Sequence, residues 1–264
     1  MACEEVWVDT AAGGRIAAIW DGVVVNNTYW SVYDASAGTN QKVYRCYDSG
    51  ENVDFYVNVL DNQTYYSTLE LWEGWDTSTH VGTGDSLTIL PTNSFRSYVG
   101  ESAYVIYNDH RVIIASYYGI QACYIGELKR FDTSLCMPIL IAKSSASSNW
   151  HNPLGLYHSA TACLWGALWN HIPTAGVVIN PYAQTSSEKF YQTVNGEYLF
   201  WETPILDETS QLLMGRLDGV MHCYSHSPTG FNVREGERVQ CDGETWMYWN
   251  GTYSTKYGSW IRMN

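Results

Sequence analysis

At 264 residues the chain has material for one large all-β domain or two smaller ones, with a sizeable core. Its net charge of −13, from 14 basic and 27 acidic residues, leaves Lys129-Arg130 as the densest basic pair and excludes a duplex-binding face, which needs gathered cations. No apolar run approaches membrane-spanning length and Met1–Glu5 lacks the segments of a signal peptide, so neither nucleic acid nor membrane is expected as a partner, and synthesis in a cytoplasm is.

In chain order, Arg15–Trp20 reads as a strand running into an Asp21-Gly22 turn. Strands follow at Thr28–Tyr33, Val43–Tyr47 and Asp54–Leu60. In the last of these Phe55, Val57 and Val59 share one face, and Tyr56, Asn58 and Leu60 the other. Asp61-Asn62-Gln63 turns the chain and Thr64–Glu73 returns it, which predicts an antiparallel hairpin. Ala103–Tyr107, Arg111–Tyr117 and Ala122–Leu128, joined by short links, predict a meander. Met137–Ala142 is a short apolar strand, and Lys143–Asn149 reads as a loop or linker. Beyond it come Thr161–Trp169, Ala175–Ile179, Glu197–Trp201 and Leu212–Cys223. Trp246–Trp249, an Asn250-Gly251 turn and Trp260–Met263 close the chain. Helix signals are weak, with a short one at Ser186–Gln192. Many short strands, glycine at the turns and no fixed-period repeat predict an all-β fold: an antiparallel β-sandwich or a jelly-roll-like arrangement. Residues 1–143 form its N-terminal region, with 144–264 packed on it or continuous with it.

The aromatic content is tilted toward Tyr (21) and Trp (12) over Phe (6), while charged residues make up only 16%. Tyr and Trp join a large apolar face to a polar handle, which suits surfaces hidden between subunits. Strands that simply favour aromatics would give the same composition. Trp72, Trp75, Trp150, Trp165, Trp169, Trp246, Trp249 and Trp260 are the interface candidates, and the same rings offer platforms for sugars. The seven cysteines (Cys3, Cys46, Cys123, Cys136, Cys163, Cys223 and Cys241) form no C-x-x-C pair, which excludes a zinc ribbon or a thioredoxin-like motif. They read as reduced, buried thiols, with disulfides of unassigned pairing as the alternative.

Leu69–Thr88 gathers acids, a histidine and Gly-Thr-Gly. As a metal loop it would use Glu73, Asp76 and His80, which meet no standard ligand spacing. As a strand end it would close through Asp76 and Thr77 accepting nearby backbone N–H groups, with Gly82 and Gly84 at the reversal. The second reading is the stronger. His222 and His226 share a strand face but want further ligands, and His151, His158 and His171 stand alone among aromatics. Nucleophile elbows, phosphate loops and dinucleotide fingerprints are absent from the sequence. Carboxylate pairs such as Glu70/Glu73 and Glu197/Glu202 would serve a glycosidase only at the right spatial separation. No catalytic residue, metal or cofactor is expected.

Four segments together resemble a diffuse group of tailed-bacteriophage virion structural proteins found among tail, neck or head-associated components. They are Trp30-Ser-Val-Tyr-Asp34; Asp54-Phe-Tyr-Val57 followed by Glu73–Thr83; Asn108–Arg111 followed by Tyr124–Arg130; and Asp242–Trp246 through Trp260–Arg262. Residues 144–240 carry little of the pattern. The resemblance implies a non-enzymatic part of the virion, working by homo-oligomeric assembly and docking onto other virion proteins, and it brings no catalytic residues. A carbohydrate-binding β-sandwich at a receptor-binding tip, recognising a cell-surface glycan, is the rival expectation.

Overall fold

A computed structural model describes residues 2–8, 15–61, 66–89, 95–96, 101–108, 110–116, 121–131, 138–141, 177–178, 201–207, 212–224, 236–249 and 257–263. Side chains are described at 20–60, 69–84, 110–113, 124–131, 138, 215–221, 236–248 and 260–263.

The chain opens with β1 (Ala2–Val8) and the helix α1 (Arg15–Asn26). The helix replaces the strand and turn expected at Arg15–Gly22. Trp20 and Val23, one helical turn apart, are both buried, whereas Val25 is 80% exposed, so the apolar residues follow a helical stripe. Asp21 is not a turn residue here: it accepts from Tyr44 Oη at 2.9 Å and pairs with Lys42, fixing the helix to the sheet beneath it.

That sheet is an antiparallel meander of β2 (Trp30–Gly38), β3 (Gln41–Asp48), β4 (Val53–Asp61), β5 (Tyr66–Asp76) and β6 (Val81–Ile89), with β7 (Phe95–Arg96) beside β5. The expected hairpin is β4–β5, with Val57 opposite Leu71 and Val59 opposite Leu69. Phe55, Val57 and Val59 share the core face, as alternation predicts, and Trp20 of α1 packs there against Trp30 and Tyr44. Each fully buried Phe or Leu on this face contributes about 1.5–3 kcal/mol. The opposite, outer face is not plain solvent. Tyr56 and Asn58 are buried there as well, which is why β4 loses its alternation of burial.

A second sheet has the order β1-β8-β9-β10-β12, from β8 (Glu101–Asn108), β9 (Arg111–Ser116), β10 (Gln121–Glu127) and β12 (Pro138–Ile141). Its β8–β9–β10 part is the expected meander, while β1 was not foreseen as a strand. The third sheet runs β13-β14-β15-β18-β17-β16, with β11 (Lys129–Arg130) paired to β15. Its strands are β13 (Val177–Val178), β14 (Trp201–Asp207), β15 (Leu212–Tyr224), β16 (Arg238–Cys241), β17 (Glu244–Trp249) and β18 (Tyr257–Arg262). Trp246, Tyr248 and Trp260 form its buried cluster. Every described strand pair is antiparallel, and the fold is all-β and sandwich-like. The β11–β15 pairing joins residues on the two sides of the 143/144 division within one sheet. The expected elements at Thr161–Trp169 and Ser186–Gln192, and the Asn250-Gly251 turn, lie outside the described residues. No helix among the described residues is long and apolar enough to cross a membrane.

Candidate functional site

Three polar constellations stand out, and the first is built from the stretch Leu69–Thr88. In β2 the register slips between Val32, opposite Tyr44, and Asp34, opposite Val43, so Tyr33 is the extra residue of a bulge. Unbroken alternation would have set Asp34 beside Trp30 and Val32 on the apolar core face. The bulge delivers it to the outer face instead. There Asp34, 3% exposed, takes His80 Nδ1 at 2.7 Å and Trp75 Nε1 at 3.0 Å on Oδ2. Its Oδ1 accepts Ser36 N and Ser36 Oγ, both at 3.0 Å. Burial alone would raise the Asp34 carboxyl, but the bonds from His80, Trp75 and Ser36 outweigh it and hold the group at about 2.

The β5–β6 turn supplies the histidine. Asp76 Oδ1 accepts Ser78 Oγ at 2.7 Å, Ser78 N at 2.8 Å and Thr79 N at 3.4 Å, an Asx-turn that pulls its carboxyl down to about 2. The reversal falls on His80 at φ 57°, and only Gly84 of the two expected glycines has positive φ, at 76°. Gly82 serves a different end. A Cβ there would sit 2.0–2.4 Å from three fused-ring atoms of Trp72, so the indole lies flat on this glycine. Glu73, Asp76 and His80 do not converge: Asp76 caps the turn and His80 turns to Asp34. Among the described residues no group of three or more His, Cys, Asp or Glu is placed to hold a metal ion.

The second constellation is a cleft of about 800 Å³ where the three sheets meet. Asp48, at the end of β3, shapes its turn by accepting Gly50 N at 2.8 Å, and its Oδ2 meets His110 Nε2 of the β8–β9 turn at 2.9 Å. Arg111, 1% exposed, faces Asp218 of β15 at 3.2 Å, and Arg262 of β18 reaches the same carboxylate at 3.0 Å and Glu244 at 2.9 Å. Arg130 pairs with Glu127 at 2.5 Å and donates to the Glu51 carbonyl at 2.7 Å. Four acids and four Lys or Arg line the cleft, so it is close to neutral. Burial pushes the Arg111 guanidinium below its ordinary value, partly offset by Tyr124 and Asp218. Gly219, at φ 64°, leaves room for that guanidinium, since a Cβ would lie 2.4 Å from Arg111 Nη2.

The third is the outer face of β2–β5. Arg45 holds Asp54 through two bonds of 2.8 and 2.7 Å and lies 4.4 Å from the Tyr47 ring centre. Tyr33 meets Tyr56 edge-on at 4.8 Å. Gln41 Nε2 donates to Asn58 Oδ1 at 3.0 Å, and Asn58 Nδ2 to Glu70 Oε2 at 2.7 Å; Trp72 Nε1 donates to that same oxygen at 3.1 Å. Glu70 thus holds a side-chain network.

Of the eight tryptophan candidates, Trp75, Trp246 and Trp260 are buried within the chain's own sheets, and Trp72 is half-buried on the outer face. Trp249 lies on β17 with its side chain outside the described set, as Trp150, Trp165 and Trp169 are altogether. Cys46 is a buried thiol outside any disulfide and Cys241 an exposed one. Cys3, Cys123 and Cys223 lie on β1, β10 and β15 with side chains outside the described set, and Cys136 and Cys163 are outside it entirely. His222 and Glu202 lie on β14–β15 without described side chains, and His151, His158, His171, His226 and Glu197 fall outside. Sequence reading missed the exposed tyrosines Tyr33 and Tyr47 and the arginines of the cleft. The Arg45-x-Tyr47 spacing on a strand was the available signal for the first.

Against known proteins, no family model matches the chain and no curated protein does.

Proposed function

We propose that this chain is a structural component of a tailed-bacteriophage virion, in the tail or neck region, made in the host cytoplasm and assembled with copies of itself and with other virion proteins. The observation that carries the reading is the use made of the shared segments. Asp34 of the first and Trp75 and His80 of the second, far apart in sequence, close on one another in a saturated hydrogen-bond cap. Residues that define the resemblance therefore do architectural work. Asn108–Arg111 and Tyr124–Arg130 likewise enter the polar contacts that tie the three sheets together.

A rigid, cross-tied β scaffold with an acidic surface suits a subunit that stays apart in solution and docks in a symmetric array. Peptide mass quantification of purified particles of the phage encoding this chain is the test. The expected result is a copy number in stoichiometric multiples, and absence from the particle ends the proposal. The outer face of β2–β5 favours the glycan-binding alternative at one specific place, developed next.

A further inference from the structure

We propose that the outer face of β2–β5 is a binding site for a neutral oligosaccharide, with Trp72 as its stacking platform and Glu70 and Gln41 as its hydroxyl-reading groups. The ring of Trp72 is laid flat by Gly82 beneath it and held from rotating by the bond from its Nε1 to Glu70 Oε2 at 3.1 Å. One ring face is thus spent on the glycine, and the indole, which also packs against the Val43, Tyr56 and Trp75 cluster, remains only half-buried. A flat, fixed aromatic face suits the C–H face of a pyranose, and fixing it in advance removes the ordering cost of binding.

Beside the platform, Gln41, Asn58 and Glu70 form a row across β3, β4 and β5 in which each donor and acceptor is already oriented. Among the described residues both bonds to Glu70 fall on Oε2, which leaves Oε1 as an acceptor for sugar hydroxyls. Farther along the face stand Tyr33 and Tyr47, 38% and 48% exposed. Tyr33 follows Ser31 onto this face by ordinary alternation, and the bulge brings Asp34 to the same face.

The choice of a neutral ligand follows from charge. Arg45, the cation of this face, is already clamped by both oxygens of Asp54, so it has no fork to offer an acidic sugar. A protein partner would have to desolvate the Glu70 carboxylate at the centre of the contact, where interfaces avoid acids. A polyol satisfies the carboxylate with hydroxyls and brings no charge.

The test uses the full chain, fluorescently labelled at lysine, on an array of neutral and acidic glycans, with hits confirmed by calorimetry. Binding to neutral glycans is expected, weakened at least about tenfold by Trp72→Ala and less by Trp72→Phe. Glu70→Gln, which keeps shape and loses the charge, is expected to weaken it too, with the circular dichroism of all variants unchanged. No neutral glycan bound by the folded wild type would overturn the proposal, as would a preference for acidic glycans or binding indifferent to all three substitutions. Concentration-dependent dimerisation abolished by Glu70→Gln would instead assign the face to a second copy. Incorporation of Trp72→Ala into particles is a separate readout, so failure of this site and failure of the structural reading are distinguishable.

Discussion

Asp34→Asn isolates what the outer-face cap contributes, because it preserves shape and removes half of the acceptor capacity. The carboxylate serves two pairs of donors, Trp75 with His80 on one oxygen and both groups of Ser36 on the other. An amide has one oxygen. Whichever way it lies, one pair meets an NH2 group instead of an acceptor, in a position only 3% exposed. Bonds to an ionised group are worth about 1.5–3 kcal/mol each and buried donors left unmet cost about as much, so a loss of about 2–4 kcal/mol is expected. Against a total stability of about 5–15 kcal/mol that is a large fraction.

Urea unfolding at pH 7 followed by far-ultraviolet circular dichroism would measure it as a fall in midpoint at constant slope. The pH dependence supplies a second measure. The folded carboxyl stands at about 2 instead of 3.8, so its ionised form stabilises the fold. That contribution is complete above the ordinary value and fades as pH falls from about 4 to about 2, with a total of at most about 2 kcal/mol. The Asn variant should lack this portion of the acid slope. A variant within about 0.5 kcal/mol of wild type, with an unchanged acid limb, would refute the claim that the bulge exists to seat a charged acceptor.

Further outcomes are expected for the ion pairs, the glycines and the thiols. Asp218→Ala removes the carboxylate shared by buried Arg111 and by Arg262, and should cost about 3 kcal/mol in urea unfolding. Glu244→Ala, at a partly exposed pair, should cost under about 1 kcal/mol. Gly219→Ala combines positive φ with a Cβ 2.4 Å from Arg111 Nη2 and should lower stability by at least about 1 kcal/mol. Gly243→Ala, at φ 82° with nothing within 4 Å, should cost less than Gly219→Ala in the same assay. In maleimide labelling followed by peptide mapping, exposed Cys241 should react in the folded chain and buried Cys46 only after denaturation. Equal rates at the two would contradict their burial.

What was legible in the sequence was what strands write locally. The β4–β5 hairpin and the β8–β9–β10 meander follow from alternation and short polar links. Where α1 begins, Arg15–Trp20 reads locally as a strand because Ile16, Ile19 and Trp20 favour strands and Asp21-Gly22 mimics a turn. Packing of Trp20 against Trp30 and Tyr44, with Val23 buried on the same helical stripe, overrode that local preference. The Asp76 turn was legible because an Asx-turn needs only the next few residues. Its neighbour His80 was not, since its partner sits on another strand, on a face that Asp34 reaches only through a bulge.

The same limit hid the three-sheet cleft. Arg111 meets a carboxylate on β15, and His110 one on β3, and neither distance has a local signature. The cap and the cleft share one physical logic. Each of these polar groups sits where strand pairing breaks or ends: Asp34 at a bulge, His80 in a left-handed turn residue, Asp48 and His110 at strand ends, Arg111 over a glycine with positive φ. Irregular backbone is where a sheet can place a polar side chain off its two regular faces. In this chain the bulges and turn glycines therefore locate the polar network more surely than the charged residues do by themselves.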